Sequence, residues 1–197
     1  TYASSACELV AELLQYIVSQ QEILKAEADA MLSGIFLDTK GFTVKTGVRT
    51  FEAAAFLRQV GADTVEVRKL FSGGLESNMK KYQIIARAKE RFPGITVSVV
   101  EEETARATAS QAADELINAA GIRAAFVIYA EKGGAVISAR SYGQVNVQVI
   151  LEKVGGGGGL TSAGAQFPDQ SPAEAEAILE KAIAEYLAEV DEARKKA

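Results

Sequence analysis

AAFVIYAEKGGAVISARS, residues 124–141, places two apolar, β-branched and aromatic runs on either side of Lys132-Gly133-Gly134. Glycine supplies the positive φ that a tight hairpin turn needs, so the stretch predicts two antiparallel strands joined at that point. Outward from the hairpin the pattern alternates. ITVSVV, 95–100, is a further β-branched strand after the stop at Pro93-Gly94, and helices are expected over about 78–92, 105–119 and 144–154. Ser171-Pro172-Ala173-Glu174 has capping spacing and opens a long terminal helix, whose Arg194-Lys195-Lys196 end complements the helix dipole. The pattern is that of an α+β domain with a small sheet.

Residues 1–71 read differently. Capping-box spacing at Ser5 and Glu8 opens an amphipathic helix to about residue 20, and Leu24, Ala28, Met31, Leu32 and Ile35 keep helical spacing toward Asp38. Thr50 is expected to cap a third helix, 51–60, which Gly61 ends, and 63–71 is a short helix or strand. Three helices with almost no strand lack a sheet to bury against, which points to the back half of a larger α/β domain. SGGLESN, 72–78, is small, polar and glycine-containing, so it reads as a linker between units 1–71 and 79–197.

Composition narrows the chemistry. The chain has 197 residues, 48% of them apolar, enough for one good-sized core or two small ones. It holds no apolar run near the roughly 18 residues a membrane span needs, and TYASSACELV lacks the basic start of a signal peptide. A single cysteine, Cys7, makes no internal disulfide and fits a reducing compartment. A net charge of −5 opposes binding to duplex nucleic acid, so a phosphate ligand needs a local site. With no histidine, the chain lacks the commonest general base and transition-metal ligand.

The candidate site lies beyond the hairpin. Gly155, Gly156, Gly157, Gly158 and Gly159 follow the apolar run VNVQVIL (145–151) after only Glu152, Lys153 and Val154, and LTSAGAQ resumes at once, which a flexible linker would not do. Glycines between packed elements permit close backbone approach, and successive N–H groups there can cradle an anion. The Lys-Ser/Thr of a Walker loop is missing. Arg140 beside Ser141 suits a phosphodiester, or is a solvated charge at a strand end. Asn146 is a ligand contact or a helix cap. Asp38 closes an apolar segment, as a cap, as a partner of Lys40, or as a metal ligand whose bond would offset burial.

YASSACELV (2–10), SGIFLDTKGFTVKTGVRTFEAAAFLRQVGAD (33–63), QAADEL (111–116), SARSYGQVNVQVILEKVGGGG (138–158) and LTSAGAQ (160–166) together resemble the DHH phosphoesterase superfamily with its DHH-associated domain. Within it the chain looks most like the bacterial cyclic di-AMP phosphodiesterases. The resemblance implies the C-terminal helical half of a DHH-type α/β domain followed by a small α+β DHH-associated domain. It implies two Mn²⁺ ions in the complete first domain, and hydrolysis of cyclic di-AMP to pApA by a metal-bound hydroxide. Asp38 matches a metal-ligand aspartate. Arg140, Ser141 and Asn146 match substrate-contacting positions, and Gly155 to Gly158 match the glycine loop. Gly159 stands where the family writes histidine, and the Asp-His-His motif is expected upstream of Tyr2. No catalytic residue is therefore assigned, and this stretch is expected to be weak or inactive by itself. The alternatives are an oligonucleotide phosphatase of the same superfamily and a non-catalytic nucleotide-binding module. A cytoplasmic setting, as part of a membrane-anchored parent, and a homodimer formed through apolar faces in residues 1–71 complete the expectations.

Overall fold

Ser5 begins the first helix by a local bond: its hydroxyl accepts from the Glu8 backbone N–H at 3.1 Å, fixing the N-terminus of α1, Ala6–Ile17. The Glu8 carboxylate does not complete the expected box on Ser5. It accepts from the Ser4 N–H at 3.0 Å, from the Ser4 hydroxyl, and from Thr50 Oγ1 at 2.8 Å, and it is 1% exposed. In this computed structural model, which describes residues 2–196, the chain divides into two compact units that meet between Gly73 and Gly74.

The first unit is helical. After α1 come α2, Lys25–Asp38, α3, Val48–Val60, and α4, Thr64–Leu70. Thr50 does not cap α3; Gly47 does, and Thr50 Oγ1 accepts the Gly47 N–H at 3.1 Å from inside the first turn. The α1–α2 crossing is tight because Gly34 lacks a side chain, and a Cβ there would stand 2.3 Å from Cys7 Sγ. Leu32, Ile35, Phe56, Leu57 and Val67 form the centre of this core, while Leu13, Tyr16 and Ile17 on α1 remain exposed.

Glu8 carries a pH signature. Burial raises its pKa, but the Ser4 and Thr50 bonds and the Arg49 charge outweigh burial and hold it below 4.5. A depressed folded-state pKa contributes stability above the unfolded value that is lost as pH falls through the folded one. Glu8→Gln should cost about 1–3 kcal/mol near pH 7. Urea midpoints of the parent and the variant should converge as the pH is lowered below about 4. A gap that persists in acid rules out this origin.

The second unit begins with α5, Leu75–Ala86, followed by β1, Lys89–Phe92, and β2, Ile95–Glu103. Two expectations change here. The last four residues of the supposed linker 72–78 are the first turn of α5, and the tail of the helix expected to reach residue 92 is instead strand β1. Then follow α6, Arg106–Leu116, β3, Ala124–Glu131, and β4, Gly134–Ser141. The β3–β4 turn places Lys132 at φ 51 and Gly133 at φ 83, the pair of positive values a two-residue hairpin loop favours. The chain continues with α7, Val147–Glu152, β5, Gly157–Gly159, β6, Ser162–Phe167, and α8, Pro172–Lys196. The side chains of Arg194 and Lys196, expected to match the dipole of α8, lie outside the described residues.

The sheet has six strands in the order β1-β2-β3-β4-β6-β5, larger than the small sheet expected. Only β2 and β3 pair in parallel, joined by the α6 crossover. β3 is apolar on both faces, as a central strand must be when both faces are covered. Phe126 and Ile128 meet α7 and α8, whereas Val127 and Tyr129 meet α5 and α6. The glycine run, read as a loop, forms a strand at the sheet edge over its last three residues, Gly157–Gly159.

Candidate functional site

On the α6 side of the sheet, β4 presents Val136, Ser138 and Arg140 at alternate positions. Their partners on β6 are Gln166, Gly164 and Ser162, and beyond these β5 sets Gly157 against Gly164 and Gly159 against Ser162. α6 packs over β3 and β4, so the sheet toward β5 is left as an open floor of small residues. A cavity of about 650 Å³ lies there, walled by Arg106 and Ser110 and floored by Ser138, Arg140, Gly157 and Gly164 among others.

The five glycines serve two different ends. At Gly156 a Cβ would lie 2.5 Å from the Gly164 carbonyl oxygen, and at Gly158, where φ is 147°, 2.5 Å from Ala163 Cα. Those two are required for β5 to approach β6, and Gly155 at φ 79° turns the chain out of α7. Gly157 has no atom within 4 Å of the Cβ position, and at Gly159 the nearest is Ser162 O at 3.9 Å. Packing does not require glycine at either place. At Gly157 the missing side chain keeps the cavity floor bare.

Arg140 is in this cavity but already engaged: Nε donates to Asp114 Oδ1 at 3.0 Å and Nη1 to the Ala139 carbonyl at 2.9 Å, with 16% of the side chain exposed. A guanidinium held in this way is oriented before a ligand arrives, and its remaining N–H groups are the ones a ligand can use. The Ser110 and Ser138 hydroxyls stand 3.4 Å apart on the cavity wall. Close to Ser138, the Tyr129 hydroxyl is buried with no hydrogen-bond partner among the described residues. Burial raises its pKa, against the opposing influence of the nearby Ser138 hydroxyl, which lies outside bonding geometry, and of Arg106.

Other residues singled out from sequence lie elsewhere. Ser141 Oγ donates to the Leu160 carbonyl at 3.1 Å and accepts from Gly143 N at 3.2 Å, which ties β4 to the β5–β6 turn. Asn146 is the cap: its side-chain oxygen accepts from the N–H groups of Gln148 and Val149 at the start of α7. Neither lines the cavity, nor does Gly159, which is exposed at its β5 end. Arg106, Ser110, Ser138, Ser162 and Gln166, which do line it, were not read from sequence. For Arg106 and Ser110 the signal was their four-residue spacing with Asp114 along one side of α6, beside the buried stripe of Ala109, Ala112, Ala113 and Leu116.

Asp38, in the first unit, is exposed on the last turn of α2, so it carries none of the burial cost its apolar neighbours suggested. It does not cap that helix either. Thr39 Oγ1 does so, donating to the Ile35 carbonyl at 2.7 Å and accepting the Phe42 N–H at 2.9 Å. Among the described residues no three His, Cys, Asp or Glu side chains gather into a metal-holding group. The donor set here does not fit a two-manganese centre, and no chemical step is routed through one.

The second unit thus sets an antiparallel edge of glycines beside an arginine, on a sheet covered by helices on both faces. Residues 93–189 match the DHHA1 domain, and this part of the chain belongs to that DHH-associated family. It is 46% identical over 189 residues to the cyclic-di-AMP phosphodiesterase GdpP of Geobacillus thermodenitrificans strain NG80-2, covering 94% of this chain and 29% of that protein. It is 42% identical over 188 residues to the cyclic-di-AMP phosphodiesterase PdeA of Listeria monocytogenes serotype 1/2a strain 10403S, with the same coverage. The chain thus spans 29% of the length of these curated relatives. An exopolyphosphatase-related protein from Bacteroides fragilis shares the fold, with a TM-score of 0.81 at 20% identity over 93% of this chain and 57% of that one. No described helix is long and apolar enough to cross a membrane.

Proposed function

We propose that this chain is the nucleotide-recognising portion of a cyclic di-AMP phosphodiesterase, and that its glycine-floored cavity receives the phosphates of cyclic di-AMP or of linear pApA. The observation that carries this reading is Gly157, a glycine that packing does not require, on a cavity floor beside Arg140. A floor without side chains admits a phosphodiester backbone to contact distance, and a preoriented guanidinium supplies charge-assisted hydrogen bonds to its oxygens. The similarity to cyclic-di-AMP phosphodiesterases over nearly the whole chain supports a cyclic dinucleotide as the substrate class.

Mn²⁺, where the complete enzyme holds it, would supply Lewis-acid activation of water, and Asp38, exposed at the end of α2, would be this stretch's one ligand to it. The residues described here contribute the binding and orientation of the phosphates. For this stretch by itself, nucleotide binding without turnover is the second reading, favoured by the lack of a metal-donor cluster among the described residues. The parent is placed in the cytoplasm, tethered to the membrane through segments other than these.

Isothermal titration with cyclic di-AMP, pApA and a short linear RNA tests the proposal, alongside Mn²⁺-dependent turnover of each. Expected are binding of the two adenine dinucleotides without a metal requirement, affinity about tenfold weaker after Arg140→Ala, and no turnover. No binding of either dinucleotide by a folded sample sinks the reading; preference for the RNA transfers it to an oligonucleotide phosphatase.

A further inference from the structure

The polar side of α6 and the strand beneath it form a ladder. Asp114 bonds Arg140 at one rung, and Ser110 stands 3.4 Å from Ser138 at the next. Four residues of helix rise about 6 Å and two residues of strand about 6.6 Å, so helix and strand stay in step. Carried one step further, the spacing brings Arg106 to the level of Val136, which lies roughly 13 Å along β4 from Arg140 and lines the same cavity. Both arginines line the one cavity, with the bare glycine floor alongside the rungs.

The two ends of the ladder differ in charge. Asp114 neutralises Arg140, whereas Arg106 is exposed and makes no ion pair among the described residues. Arg106 is not placed there for the benefit of its helix: it occupies the first turn, where the dipole disfavours a cation. Ala105 at the N-cap offers no side-chain acceptor to the first-turn N–H groups, so donors as well as charge face the same end. The unpartnered Tyr129 hydroxyl is buried on the strand next to this rung, opposite Val136.

We propose that Arg106 is a second phosphate anchor, and that the span between Arg106 and Arg140 selects nucleotides with two phosphate groups over nucleotides with one. The proposal rests on the reading of the cavity as a nucleotide site and adds to it the feature of the ligand that is measured. A ligand held at both ends gains from the effective concentration of its second phosphate once the first is bound, and a ligand with one phosphate does not.

Titration of the whole chain with pApA and with AMP tests this, with melting temperature recorded for each variant. The parent chain should bind pApA more tightly than AMP. Arg106→Ala should weaken pApA about tenfold, while AMP, able to use either anchor, should lose about twofold or less. Arg106→Lys, which keeps the charge without the planar fork, should fall between. Undiminished pApA affinity in a folded Arg106→Ala chain overturns the proposal, as does an equal loss for pApA and AMP. Failure of the parent chain to bind pApA at all defeats the nucleotide reading of the cavity, and the proposal with it.

Discussion

Gly158→Ala should abolish nucleotide binding and destabilise the second unit, whereas Gly157→Ala, one residue away, should weaken binding with no loss of stability. At Gly158 an added methyl would lie 2.5 Å from Ala163 Cα and 2.6 Å from the Ser162 carbonyl oxygen, on a backbone with φ 147°. Overpacking and an unfavourable φ each cost about 1–3 kcal/mol. The neighbours are backbone atoms of the paired strand, so a rotamer change cannot relieve the contact. β5 is three residues long and at the sheet edge, so the cheaper relaxation is for it to detach from β6. Amide exchange across 156–164 should then accelerate well beyond that of β3. At Gly157 the Cβ position is open, and alanine costs less conformational entropy than glycine. Its melting temperature should hold or rise, while the new methyl stands on the cavity floor in the path of the phosphodiester. Equal behaviour of the two variants in both stability and binding would falsify the division of these glycines into packing and ligand positions.

That division also shows why part of the site was hidden in the sequence. The β3–β4 hairpin was legible because two apolar runs and Lys132-Gly133 determine it locally, and α8 because Ser171 and Glu174 complete a capping box, with bonds of 2.8–3.3 Å. β1 was not, since Lys89, Glu90 and Arg91 carry no apolar alternation and become a strand only through pairing with β2. β5 was hidden for a related reason: glycine has no strand preference, and its register comes from β6, itself placed by β4. Arg140 and the glycines were recognisable as a pair of features, but Arg106 acquires meaning only when α6 lies along β4. Asn146, read as a ligand contact or a cap, proved to be the cap, and Thr50, read as the cap of α3, bonds the Gly47 N–H from within its first turn instead. Their polar side chains satisfy helix N-termini, which is the commonest work for such residues. Asp38 looked buried because its sequence neighbours are apolar, yet the helix turns it outward.

Gly159→His puts an imidazole where the resemblance to the cyclic di-AMP phosphodiesterases expects one, and the structure has room for it. The position is exposed, φ lies outside the left-handed region, and the nearest atom to a Cβ is 3.9 Å away. By strand alternation it is on the same face as Gly157, two residues beyond it at the edge of the cavity, and an imidazole is long enough to reach back toward a phosphate bound there. Melting temperature should be unchanged. Affinity for cyclic di-AMP should rise by about tenfold to a hundredfold when the ring is charged, the worth of one charged hydrogen bond of about 1.5–3 kcal/mol. The sign with pH follows from linkage. An anion bound beside the ring raises its pKa above the unliganded value of about 6.5, so the gain is full below that value and is lost as pH rises through the liganded one. Cyclic di-AMP is the right probe because its diester phosphates do not titrate in that range, unlike the terminal phosphate of pApA, with a second pKa of about 6. Titrations at about pH 5.5 and pH 8.5 should therefore show a large advantage for the variant in acid and a small one in base. An advantage that is flat with pH means the ring acts by stacking or packing, and no advantage at either pH means that the bound phosphate lies out of reach of position 159.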